Sequence, residues 1–113
     1  MNQWITVCKL DDILPATGVC ALVEKAHVAI FRPYQSDELY AISNIDPFAD
    51  ASILSRGIIA EHNNELWVAS PLKKQRFRLK DGYCLEDEQY SIPCYEVRVD
   101  ENGTVQVKAG QNR

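Results

Sequence analysis

Asn44-Ile45-Asp46-Pro47-Phe48 and Ser70-Pro71-Leu72-Lys73 are the two stretches that decide how this chain is read. Each is a short loop built around a proline. Each follows a hydrophobic, strand-like run, Leu39–Ser43 for the first and Leu66–Ser70 for the second. Proline cannot donate to a strand ladder, so both runs must give way to loop at these points. Between the loops, Gly57–Glu61 and Leu66–Ser70 flank His62-Asn63-Asn64-Glu65, which reads as a hairpin.

The same pattern continues in both directions. Trp4–Cys8 alternates and is rich in β-formers, and Gly18–Glu24 and Ala26–Tyr34 flank a turn at Glu24-Lys25. Gln35-Ser36-Asp37-Glu38 reads as a further turn. Downstream, Gln75–Leu79 leads into the tight turn Lys80-Asp81-Gly82. Tyr95–Asp100 and Thr104–Lys108 flank Glu101-Asn102-Gly103, and Asn-Gly is the strongest short hairpin signal. There Tyr95, Val97 and Val99 share one face, matched by Val105 and Val107. No helical pattern exceeds about two turns, although Asp50–Ser55 is expected to form one short helix. The sequence predicts a single all-β domain over 1–113, a small sandwich or barrel. Its end, from about residue 109 to 113, is expected to fray.

A chain of 113 residues can bury a core without staples. With 46% hydrophobic and 25% charged residues it has the make-up of an ordinary globule. A net charge of −4 argues against nucleic acid or an anionic membrane as partner. No apolar run approaches the ~20 residues of a membrane span. Met1-Asn2-Gln3-Trp4-Ile5-Thr6 has neither a basic nor an apolar leader region, so a cytoplasmic location is expected. The four cysteines form no Cys-x-x-Cys pair and are expected as reduced thiols. Cys8, Cys20 and Cys94 lie in apolar runs, where free cysteine acts as a small hydrophobe. Neither these thiols nor His27 and His62 have metal-ligand spacing.

The stretch from Lys73 to Lys80 holds five cations and no acid. Strand period puts Lys74, Arg76, Arg78 and Lys80 on one face and Phe77 and Leu79 on the other. The plain reading is a solvated strand face. Like charges at i and i+2 repel, so acids elsewhere in the chain, or on a partner, should relieve them. No Gly-rich loop or helix start accompanies the cations, which disfavours a phosphate site.

The two proline loops fit the frame of a Rieske iron–sulfur domain. That centre takes Cys-x-His from one loop and Cys-x-x-His from the other, two thiolates on one iron and two imidazoles on the second. The four ligand places here hold Asp46, Phe48, Ser70 and Lys73. Phe has no lone pair to give, and Lys is a donor only. Ser and Asp are hard oxygens that suit a cluster badly. With Trp4–Cys8, Leu10–Pro15, Gly18, Ala29–Arg32, Leu39–Phe48, Leu54–Gly57, Val68–Lys73, Phe77–Leu79, Gly82 and Tyr95–Val99, these loops resemble the small subunit of assimilatory NAD(P)H-dependent nitrite reductase.

The resemblance implies a Rieske-like fold whose ligand loops form an inserted subdomain that has lost its cluster ligands. It implies an accessory role in nitrate and nitrite assimilation. The large subunit would carry FAD, an iron–sulfur cluster and siroheme, and would reduce nitrite to ammonium. No catalytic, cofactor-binding or metal residue is expected in this chain. Without a cluster, Phe48 is expected to fill the vacated volume and Asp46 to make an Asx turn before Pro47. Lys73, Lys74, Arg76, Arg78 and Phe48 are the expected contacts to the large subunit. The competing reading is a Rieske-type ferredoxin that passes electrons to an oxygenase.

Overall fold

The structure, a computed structural model, describes residues 3–110. Its organising element is β3 (Ala26–Arg32), which pairs with β2 (Thr17–Val23) on one side and β4 (Tyr40–Ser43) on the other. The run His27-Val28-Ala29-Ile30-Phe31 makes this strand the centre, because both of its faces are apolar and both are covered. Val28 and Ile30 point into one core and Ala29 and Phe31 into a second. Burying each large side chain of this kind contributes about 1.5–3 kcal/mol.

The first core lies beneath a three-stranded sheet of β1 (Trp4–Lys9), β12 (Thr104–Lys108) and β11 (Val97–Val99), in the order β1-β12-β11. Val105 and Val107 of β12 are fully buried there, with Val97 and Val99 packed beside them, as the shared-face reading of that hairpin requires. The turn is as the Asn-Gly signal demands. Gly103 takes φ +78°, and Asp100 Oδ1 accepts from the N–H groups of Asn102 and Thr104, both at 2.9 Å.

The chain leaves this framework after β4 and returns at β10 (Cys94–Tyr95), which pairs back onto β4 with Cys94 opposite Ile42. Everything between is the expected inserted subdomain. It holds the short pair β5 (Ile45–Asp46) and β6 (Ala51–Ser52), and the sheet of β7 (Ile58–His62), β8 (Glu65–Ala69) and β9 (Arg76–Arg78). Val68, Phe77 and Leu79 close the second core against Phe31 and Ile42. The sheets stay open at their edges, so the architecture is a layered sandwich and not a closed barrel.

Three expectations need correction. Asp50–Ser55 is not a helix: Ala51–Ser52 pairs with Ile45–Asp46, and only a single 3-10 turn follows at Leu54–Arg56. The carbonyl of Asn44 captures the N–H groups of Ile53 and Leu54, which a helix would have used internally. The run Tyr95–Asp100 is cut at Glu96, because β10 and β11 belong to different sheets. At the chain end, Ala109 is buried and its N–H bonds to the Gln3 carbonyl at 2.8 Å. Residues 111–113 of the expected frayed tail lie outside the described residues.

Candidate functional site: the two proline loops

Asp46 ends β5 and is completely buried. Its Oδ1 accepts from the Phe48 N–H at 2.8 Å and the Ala49 N–H at 3.3 Å, the Asx turn expected around Pro47. Its Oδ2 accepts a hydrogen bond from the hydroxyl of Ser70, itself buried, at the root of the second loop. These two residues occupy the places where two thiolates would share one iron. A hydrogen bond from the Ser70 hydroxyl to the Asp46 carboxylate joins the loops where a metal would otherwise do so.

The other two positions are not brought together. Phe48 is half-buried, its ring 4.5 Å from that of Tyr90 and 6.3 Å from that of Phe77. It thus packs against the apolar core of the subdomain. Lys73 is exposed. A [2Fe–2S] cluster does not fit this set. Two positions are already bonded to each other, one ring is committed to aromatic packing, and one ammonium has no lone pair.

Behind the first loop Asn44 acts as a buried spacer. Its Nδ2 donates to Ser52 Oγ at 2.7 Å, and its Oδ1 accepts from the Ser55 N–H at 2.6 Å. The sequence places Asn44 in the loop but gives it no role. Arg32 is likewise buried and satisfied by carbonyl oxygens, those of Ile13 at 2.9 Å and Ser36 at 2.8 Å. Both are structural side chains whose partners are fixed only by folding.

The cationic stretch divides in two. On β9, Phe77 is buried and Arg76 and Arg78 face outward, as strand period requires. Arg76 pairs with Glu86 at 2.8 Å. Arg78 pairs with Asp81 at 2.7 Å and Glu65 at 3.0 Å, while lying over the rings of Tyr83 and Trp67. Lys80 pairs with Glu65 at 2.9 Å. The hydrogen bond to Asp81 raises the Arg78 pKa above the usual guanidinium value. Hydrogen bonds from Lys80 and Arg78 hold the Glu65 carboxyl below its ordinary value. Burial pushes Glu86 upward, but the hydrogen bonds from Arg76 prevail and leave it lowered. With depressed carboxyl pKa values these pairs support the fold at neutral pH and release that support as pH falls through them.

The chain's own acids therefore answer the repulsion along β9. Lys73 and Lys74 are different: both are exposed and make no ion pair among the described residues.

Among the described residues the thiols and imidazoles are not gathered into a cluster of three or more possible metal ligands. Cys84 and Cys94 are buried, Cys8 is half-buried, and Cys20 is exposed, contrary to the hydrophobe reading of its run. Burial raises the Cys8 and Cys84 pKa values above the ordinary thiol value, which disfavours the thiolate. His27 and His62 are exposed, as their turn positions suggest. Among the described residues no helix is long and apolar enough to cross a membrane.

Comparison with known proteins places this geometry. Residues 3–108 match the model of the Rieske-like [2Fe-2S] domain. The chain is 67% identical to the NADH nitrite reductase small subunit of Escherichia coli K12, over 96% of this chain and 99% of that protein. The NMR structure of the E. coli protein NirD superposes with a TM-score of 0.90 at 66% identity, covering 97% of this chain and 99% of that one. A third relative is the NAD(P)H nitrite reductase large subunit of Klebsiella oxytoca. It is 38% identical over 94% of this chain, and the match takes up 11% of that much longer protein. The open β-framework, the two proline loops in register and these matches agree: the chain belongs to the Rieske-like domain family, among the small subunits of NADH nitrite reductase.

Proposed function

We propose that this chain is the accessory small subunit of a cytoplasmic NAD(P)H-dependent nitrite reductase, serving nitrate and nitrite assimilation. It docks on the large subunit and carries no redox centre. FAD, an iron–sulfur cluster and siroheme belong to that large subunit.

One observation carries the reading: in K. oxytoca a protein named as the large subunit contains a stretch similar to nearly the whole of this chain. A domain covalently joined to the catalytic polypeptide in one organism works beside it, and a free-standing homologue has the same neighbour. The accessory character follows from the donor chemistry of Asp46, Phe48, Ser70 and Lys73, which supplies no path for electrons. The same chemistry opposes the ferredoxin reading, which needs a cluster to carry them.

Two results are expected. A tagged copy of the chain co-purifies with a large flavin- and siroheme-containing protein from cells growing on nitrate. The isolated chain, given an electron donor, does not reduce nitrite. Nitrite turnover by the chain alone would overturn the accessory role, and failure of the purified large subunit to bind it would overturn the assignment.

A further inference from the structure

The second proline loop is an expensive piece of backbone. Lys74 sits at φ +66°, in the left-handed region where a residue with a β-carbon costs roughly 1–2 kcal/mol over glycine. The following residue, Gln75, buries its side-chain Oε1 with no hydrogen-bond partner among the described residues. The loop is nevertheless held firmly. The Ser70 N–H donates to the Gln75 carbonyl at 2.9 Å, and the Lys74 N–H donates to the Ser70 carbonyl at 3.1 Å. Beneath them the Ser70 hydroxyl is fixed by buried Asp46.

That scaffold presents an exposed apolar side chain and two adjacent unpaired cations. Leu72 is 63% exposed, and Lys73 and Lys74 face solvent. Ile58, 75% exposed, pairs with Ala69 next to the loop's root and adds apolar surface there. Left-handed backbone also occurs at Ala16, Glu24, Asp50, Asn63 and Asn64; at Lys74 it lies in a loop that holds two unpaired cations beside an exposed leucine. The chemistry of the occupant follows from what is unsatisfied. Leu72 wants an apolar pocket, and Lys73 and Lys74 want carboxylates. Arg76 and Arg78, already neutralised within the chain, ask for nothing.

We propose that Leu72-Lys73-Lys74 is the rigid docking element of this subunit. Leu72 inserts into an apolar depression on the large subunit, and the two ammonium groups pair with acidic side chains at its rim. The inference rests on the proposed large-subunit partnership, and it shifts the expected contact from the Arg76–Arg78 strand to the loop before it.

The test measures binding of each variant to purified large subunit at low and high salt, together with the melting temperature of the isolated variant. Lys74→Gly is decisive because stability and docking should move in opposite directions. Its Tm should hold or rise as the strain is relieved, while the complex weakens several-fold. The double reversal Lys73→Glu/Lys74→Glu should weaken the complex about tenfold or more at low salt and flatten its salt dependence. Leu72→Ala should weaken it at both salt concentrations. Arg76→Gln should leave affinity within about twofold, as an exposed pair internal to the chain would. If wild-type chain binds and the loop variants bind equally well with the same salt dependence, the docking-loop assignment is wrong while the partnership stands. If wild-type chain does not bind, the partnership itself falls.

Discussion

Replacing Asp46 with alanine is expected to lower the stability of the chain by about 3 kcal/mol, since a buried acceptor serving three donors is lost at once. In a domain of this size that corresponds to a melting temperature roughly 10–15 °C lower. The cost arises on both loops. The Phe48 and Ala49 N–H groups lose the Asx oxygen that shapes the turn, and the Ser70 hydroxyl loses its acceptor in a site that water does not reach. Ser70→Ala removes the bridge and the more distant acceptor of the Leu72 N–H at 3.4 Å but leaves the Asx turn in place, so about 1–2 kcal/mol is expected. Asp46→Asn keeps the Asx oxygen and offers an amide to the Ser70 oxygen, so it should fall between wild type and Asp46→Ala. Thermal melts of the three variants and of the Asp46→Ala/Ser70→Ala double variant check this. Strictly additive single effects would show that the two residues do not act as one unit.

A second large effect is expected at Gly82. It takes φ +80°, and a β-carbon there would sit well inside contact distance of the Ile92 carbonyl oxygen. The backbone cannot move away. The Gly82 N–H is bonded to the Arg78 carbonyl at 2.7 Å, and the Gly82 carbonyl accepts from the Ile92 N–H at 2.9 Å. Gly82→Ala should therefore cost about 3 kcal/mol, combining a left-handed alanine with overpacking. Gly103→Ala is the matched control. Its φ is +78°, but nothing lies within 4 Å of the added carbon, so only the conformational cost of about 1 kcal/mol should appear. Denaturant midpoints for the pair separate strain from clash. Equal losses at the two sites would mean that the Ile92 contact is not rigid.

Much of this was legible in the chain because it is local. The Asn102-Gly103 turn and the alternation along Val97–Val99 and Val105–Val107 each declare themselves within a few residues. The Asx turn at Asp46 was legible for the same reason, as its acceptor and donors are two and three residues apart. The partners of the cationic strand were not. Glu65 and Glu86 reach Arg78 and Arg76 from residues 13 and 10 positions away, so strand period showed the repulsion but not its answer. The Asp46–Ser70 bond joins residues 24 apart. The sequence could show that both positions had lost their cluster ligands, but only folding shows that the substitutes bond to each other. Asp50–Ser55 failed as a helix because a carbonyl outside the segment, that of Asn44, took its N–H groups. The left-handed Lys74 has no sequence signature, since nothing but the closed loop forces it.

In this Rieske-like frame a hydrogen-bonded Asp46–Ser70 pair stands at two of the four cluster-ligand places, so the chain is expected to bind no [2Fe–2S] centre. The most direct measurement is the iron and acid-labile sulfide content of the isolated chain after anaerobic reconstitution with ferrous iron and sulfide, read beside its visible spectrum. A colourless protein with no stoichiometric iron or sulfide is expected. A stable visible chromophore with about two irons and two sulfides per chain, the content of a [2Fe–2S] centre, would contradict it.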